Sequence, residues 1–231
     1  MTRSRRASLL AAVTLFWAGV PALRAASVTL TPNDNDVRIG TFAPNSNRHF
    51  EDILSVYNGG AGNDQRSLLQ FDLSTIPAGQ TIDFAVLTVW RDSQIWGGGD
   101  NGLPTNVYRV TTPWVNTEVT WNDASAGNPW TTPGGDFVGT TGLPLINPYA
   151  TNMLNIAGSG GPDVSGIFPL FIVVTPLVSE WYNGVNPNYG LLLEAPAGNE
   201  LHFRADRTMP NPTRTHDAPQ QLYPSLKVLF H

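Results

Sequence analysis

The chemistry this chain carries in quantity is that of aromatic rings set beside planar polar groups. Seven tryptophans occur in 231 residues, and cysteine is absent. A flat aromatic face receives the apolar side of a sugar ring, while amide, guanidinium and hydroxyl groups beside it bond the ring hydroxyls or a carboxylate. Trp17 lies in an N-terminal leader, and Trp114, Trp121 and Trp181 lie in patterned segments where they read as core or loop anchors. Trp90, Trp96 and Trp130 remain. Trp90 projects opposite to Ala85, Leu87 and Val89 in a strand pattern, and Trp96 sits in a glycine-rich loop, so these two are the expected ligand platforms. Gln70 and Thr88 are expected on the same sheet face, with Arg91 at the strand end, provided that Leu69, Phe71 and Leu73 point inward. Arg66, Arg109 and Arg204 could each grip a carboxylate with two parallel hydrogen bonds, although an arginine in a β-sandwich also serves by crossing to a nearby acid. The expected binding set is Trp90, Trp96, Gln70, Arg91 and Arg204.

Other chemistry is thinner. Asn33-Asp34-Asn35-Asp36 offers oxygen ligands at a turn, so Asp34 and Asp36 are the expected ligands should a structural calcium ion be bound; Asp and Asn are equally turn-formers. No cofactor is required. His49, His202, His216 and His231 lack the paired spacing of a zinc site. No nucleophile elbow, framed acid pair or histidine-bearing constellation appears, so no catalytic residue is assigned. The catalytic alternative is a polysaccharide lyase working through dispersed Tyr108, His202 and Arg204.

Positioning such groups requires a core, and composition says which kind. Arg3, Arg5 and Arg6 precede an apolar run from Leu9 to Val20 that is too short to span a bilayer, which reads as a signal peptide over residues 1–26. Both the general secretory route and the twin-arginine route fit it. The expected location is extracellular or periplasmic. Losing four arginines with the leader takes the formal charge from −5 to −9, which disfavours nucleic acid as a partner. No second apolar run of bilayer length follows, so no membrane span is expected. The remaining 27–231 suffice for one large β-domain, held by its core without disulfides, as a monomer or as part of a surface assembly.

Short runs of β-branched and aromatic residues, separated by Gly, Pro, Asn and Asp, predict an all-β sandwich or jelly roll with long surface loops. Strands are expected at 27–31, 36–40, 53–57, 67–72, 81–91, 106–111, 118–121, 167–173, 189–194, 201–204 and 225–230. One short helix is expected from Pro176 to Asn183, with Thr175 as N-cap, Leu177, Val178 and Trp181 on one side, and Gly184 beyond its end. Residues 93–105, 122–163 and 206–224 carry no period and read as loops.

Several blocks together resemble a known family. Arg66-Ser67-Leu68-Leu69-Gln70-Phe71-Asp72-Leu73-Ser74-Thr75-Ile76-Pro77 opens the series. Trp114 with Glu118-Val119-Thr120-Trp121-Asn122, then Thr175-Pro176-Leu177-Val178-Ser179-Glu180-Trp181, then Tyr223-Pro224-Ser225-Leu226-Lys227-Val228 continue it in order. This series is similar to the DNRLRE-type carbohydrate-binding modules. The string that names that group is absent, its nearest echo being Asn63-Asp64-Gln65-Arg66-Ser67-Leu68-Leu69, and Ala205-Asp206-Arg207 replaces its usual serine and glutamate. The resemblance implies a β-jelly roll that binds polysaccharide without changing it. A structural protein of the cell surface or matrix is the alternative, with the lyase behind it.

Overall fold

Alternation in the strand that starts at Ile82 decides the layering. Ala85, Leu87 and Val89 are fully buried, while Val86, Thr88 and Trp90 are only half-buried, the period-two split of a strand with one face on a core. The computed structural model describes residues 25–60, 62–92, 104–152, 167–196, 198, 200–205 and 222–231. Among them run β1 (Ala26–Leu30), β2 (Asp36–Gly40), β3 (Ile53–Tyr57), β4 (Gln65–Leu69), β5 (Ile82–Asp92), β6 (Thr105–Val110) and β7 (Asp123–Ser125). There follow β8 (Asn128–Pro129), β9 (Phe137–Val138), β10 (Ala150–Asn152), β11 (Ile167–Val173), α1 (Thr175–Tyr182), β12 (Leu191–Glu194), β13 (Glu200–Arg204) and β14 (Ser225–Phe230).

These strands form an all-β sandwich in which every ladder is antiparallel. One layer runs β11–β5–β14–β1 and the other β2–β4–β12–β6–β10. The β3–β13 ladder joins them, since β13 meets β5 at Phe203 opposite Arg91, and β3 meets β4 at Tyr57 opposite Gln65. Between the layers lies the main core, built from Leu69, Phe71, Leu87, Val89, Val107, Ile172, Leu191 and their neighbours. The helix closes one end of it with Leu177, Val178 and Trp181, the expected apolar side.

A second core covers the outside of the β4–β12–β6 layer. Leu68, Leu192, Tyr108 and Val110 point away from the main core and meet Trp114, Val119, Trp121, Trp130 and Phe137. Those partners come from residues 114–137, Trp130 and Phe137 among them from the stretch expected to be surface loop. This explains β12. All four of its residues are buried because both of its faces are covered, as in strands at the centre of a three-layered region. Asn47 ties the layer down by donating to the carbonyls of Asn116 and Val119 at 2.8 and 2.7 Å.

Three expectations need correction. Residues 118–121 turn instead of extending: the Val119 N–H bonds the Val115 carbonyl, and the Thr120 hydroxyl accepts from the Asn122 and Asp123 N–H groups. A threonine that offers the backbone such local bonds competes with a ladder. Residues 122–152 hold β7 to β10 and the second core as well as loop. The helix begins at Thr175 itself, whose hydroxyl accepts from the Ala85 N–H at 2.9 Å and so serves the neighbouring strand. The signal peptide expected over residues 1–26 lies, up to residue 24, outside the described residues, and Ala26 pairs with Phe230.

Candidate functional site

Two surfaces on opposite outer faces of the sandwich gather side chains suited to a ligand. The first is the outer face of β5, β11 and β14. In β11, Leu170 and Ile172 enter the core, whereas Phe171 and Val173 are 62% and 50% exposed. Register sets Phe171 beside Thr88, Pro169 beside Trp90, and Val173 beside Val86; on the other side of β5, Ser225 faces Thr88 and Lys227 faces Val86. The result is a face in which rings alternate with hydroxyls and one ammonium group. A sheet face this apolar is uncommon on a protein surface unless something covers it.

Of the expected binding residues, Trp90 lies on this face. Arg204 starts from the adjoining strand β13 and alternates to the same outer side, opposite to the buried Phe203. Arg91 is paired with Phe203, so by register it shares the inward-facing side of the layer end. Gln70 is elsewhere. It follows β4 in the opposite layer and donates to the Asn188 carbonyl at 2.8 Å, so it cannot stand beside Trp90. Its expected inward neighbours Leu69 and Phe71 are indeed fully buried; alternation located its face correctly but not its layer. Trp96 lies outside the described residues. Trp114, Trp121, Trp130 and Trp181 are all buried. Arg109 sits 3.9 Å from Glu180 on the helix, the structural crossing that competes with a ligand role.

The second surface is a cleft of about 400 Å³ on the far side of the second core. Sequence reasoning did not find it, because its walls come from residues 111–112, 131–137 and 144–145, which have no period. Arg66 reaches it from β4. By antiparallel register Arg66 stands opposite Glu194, which in turn faces Asn106 on β6. Yet the guanidinium leaves Glu194 to Asn58 and Asn106. It lies instead about 5 Å over the rings of Trp121 and Phe137 and donates from Nη1 to the Gly134 carbonyl at 2.8 Å. Burial pulls its pKa below the ordinary 12.5, and it stays cationic. Asp136, on the same cleft, accepts from the Thr131 and Thr132 N–H groups and from the Thr112 hydroxyl at 2.9–3.1 Å. Its burial alone would raise its pKa, but these bonds outweigh that and hold the carboxyl below the usual range.

Glu194 is 5% exposed, and burial raises its pKa above the ordinary 4.5, against the pull of Asn106, Arg66 and Asn58. The native state therefore keeps this proton to higher pH than the unfolded chain does. Stability from this group is present at low pH and falls as pH rises through that interval. Glu194→Gln is accordingly expected to be at least as stable as the parent at pH 7 and to lose ground to it near pH 4. Urea midpoints at the two pH values measure this; an unchanged difference would contradict it.

A calcium cage takes six to eight oxygens, and at the turn before β2 several oxygens already accept hydrogen bonds. Asp36 is fully buried at the start of the strand, Asp34 is exposed in a left-handed conformation, the Asn33 carboxamide accepts from Thr31, and the Asp34 carbonyl accepts from Asn116. Among the described residues no group of three acids or histidines could hold a metal. Of the residues named for a lyase, His202 and Arg204 share one side of β13, and Tyr108 stands apart from them. Tyr108 is buried in the second core, where burial and Glu194 push its pKa up to about 12, while His202 is buried on β13 opposite Ser55 and within 3.3 Å of Glu200.

Comparison with known families places this architecture. The description "disaggregatase related repeat domain" matches residues 36–208, about three quarters of the chain. The chain belongs to the disaggregatase related repeat domain family. The matched span runs from β2 to just past β13, so it includes both walls of the cleft, Trp90 and Phe171, while β1 and β14 lie outside it. No curated protein matches the chain. No helix among the described residues is long and apolar enough to cross a membrane.

Proposed function

We propose that this chain is an exported, non-catalytic polysaccharide-binding module that lays sugar rings on the outer face of β5, β11 and β14. The observation that carries the reading is the row of Trp90, Pro169, Phe171 and Val173 interleaved with Thr88, Ser225 and Lys227. Ring faces supply the apolar contact and the hydroxyls and ammonium group supply orientation. The likeness of the sequence blocks to DNRLRE-type carbohydrate-binding modules supports the same reading. The family match supports the coarser part of the reading, a repeat-domain protein of the cell surface or exterior.

Retention of the purified protein on a panel of insoluble and soluble polysaccharides tests this, with reducing ends and unsaturated products scored in parallel. Retention without products is expected, and Trp90→Ala with Phe171→Ala should weaken it at least about tenfold, since a lost stacking contact is worth roughly 1–2 kcal/mol. Product formation would establish the lyase. Absence of retention on every polymer, together with self-association that Phe171→Ser abolishes, would instead make this face a protein-packing surface of a structural protein.

A further inference from the structure

The cleft beside Arg66 is separate from the β5–β11–β14 face and lies on the opposite side of the sandwich. Its polar groups have assigned directions. The Thr112 hydroxyl donates its proton to Asp136, and the Thr131 side chain bonds the same carboxylate. With their protons committed, these two oxygens can meet a ligand in the cleft only as acceptors. Arg66 does the reverse: it lines the cleft as a donor only, and among the described residues its hydrogen bond to the protein uses Nη1.

We propose that this cleft is a second binding site, selective for an uncharged sugar unit. A sugar hydroxyl both donates and accepts, so one ring meets the threonine oxygens with its O–H groups and the guanidinium with its oxygens. An ionised carboxylate or sulfate has no proton to give. It would face the threonine lone pairs and the fixed charge of Asp136 together, which offsets its attraction to Arg66. Apolar contact for the C–H face of the ring comes from Pro133, Pro144 and Leu145. Leu145 is 54% exposed with φ +57°, a conformation costly for a leucine and of the kind held in place around ligand sites. A volume near 400 Å³ is at the small end of ligand pockets, about 300–1,000 Å³, and suits a chain end better than a polymer face.

The ligand class rests on the polysaccharide reading, whereas the site does not, so the test removes the first face. In the Trp90→Ala/Phe171→Ala protein, calorimetric titration compares neutral hexose oligosaccharides with uronate and sulfated oligosaccharides of matched length. Neutral ligands are expected to bind at least about tenfold more tightly than charged ones, and Arg66→Lys or Thr131→Val should each weaken them about tenfold. Thr131 is exposed, so Thr131→Val keeps the fold if Arg66→Lys does not, and thermal melts verify this. Preference for charged ligands, or neutral binding indifferent to both substitutions, would overturn the proposal. Binding by the parent that vanishes in the double variant would overturn it and leave the first face standing. Binding by neither protein would remove both.

Discussion

Replacing Trp130 with alanine is expected to lower the unfolding free energy by about 3–5 kcal/mol, the range for removing a buried aromatic side chain and leaving a cavity. Trp130 is 4% exposed within the second core, and its Nε1 donates to the Thr120 carbonyl at 3.0 Å. Both its packing and its bond hold residues 119–137 against β4, β12 and β6. The loss is a large part of the roughly 5–15 kcal/mol that keeps a domain folded. It should be unevenly spread. Hydrogen exchange is expected to quicken most in residues 111–147, with β5, β11 and β14 less affected, because the main core keeps all its members. An unfolding free energy from urea titration within about 0.5 kcal/mol of the parent would show that the second core is only a cover.

Gly190→Ala comes next, with an expected cost on the order of 3 kcal/mol. Gly190 has φ +87°, and a Cβ there would sit 2.4 Å from the Leu69 carbonyl oxygen, a backbone atom that cannot swing aside. The left-handed conformation alone costs a non-glycine residue about 1–2 kcal/mol, and the collision adds to it. Displacement would propagate because the Gly190 carbonyl accepts from the Val110 N–H and β12 begins at the next residue. Gly184 is the control: its φ is +67°, but nothing lies within 4 Å of the place an added methyl group would take. Gly184→Ala should therefore cost only the conformational part. Equal losses at both positions would show that the close approach to Leu69 is relieved at no cost.

These two results bear on the proposed sites in different ways. Loss of Trp130 should disturb the Arg66 cleft while sparing the face that carries Trp90 and Phe171, because the walls at 131–137 follow directly from it. Binding that survives in Trp130→Ala thus belongs to the β5–β11–β14 face.

Much of the architecture was determined by the sequence itself. Hydrophobic alternation in β5 identified the inward residues Ala85, Leu87 and Val89, and the helical segment declared Leu177, Val178 and Trp181 as its buried side. The β2, β3, β11 and β14 boundaries fell where expected, since β-branched runs ended by Gly, Pro and Asn are local features. Alternation states which side chains share a face. It does not state what covers the other face, and that is where tertiary structure decided. Leu68, Leu192 and Tyr108 face outward yet are buried, because residues 114–137 fold over them. Strand pairing across more than a hundred residues put Gln70 and Trp90 in different layers and set Arg66 opposite Glu194. The rings of Trp121 and Phe137 then drew the guanidinium away from that carboxylate and into the cleft. Each of these depends on contacts between distant segments, whose energies are summed only once the chain has closed.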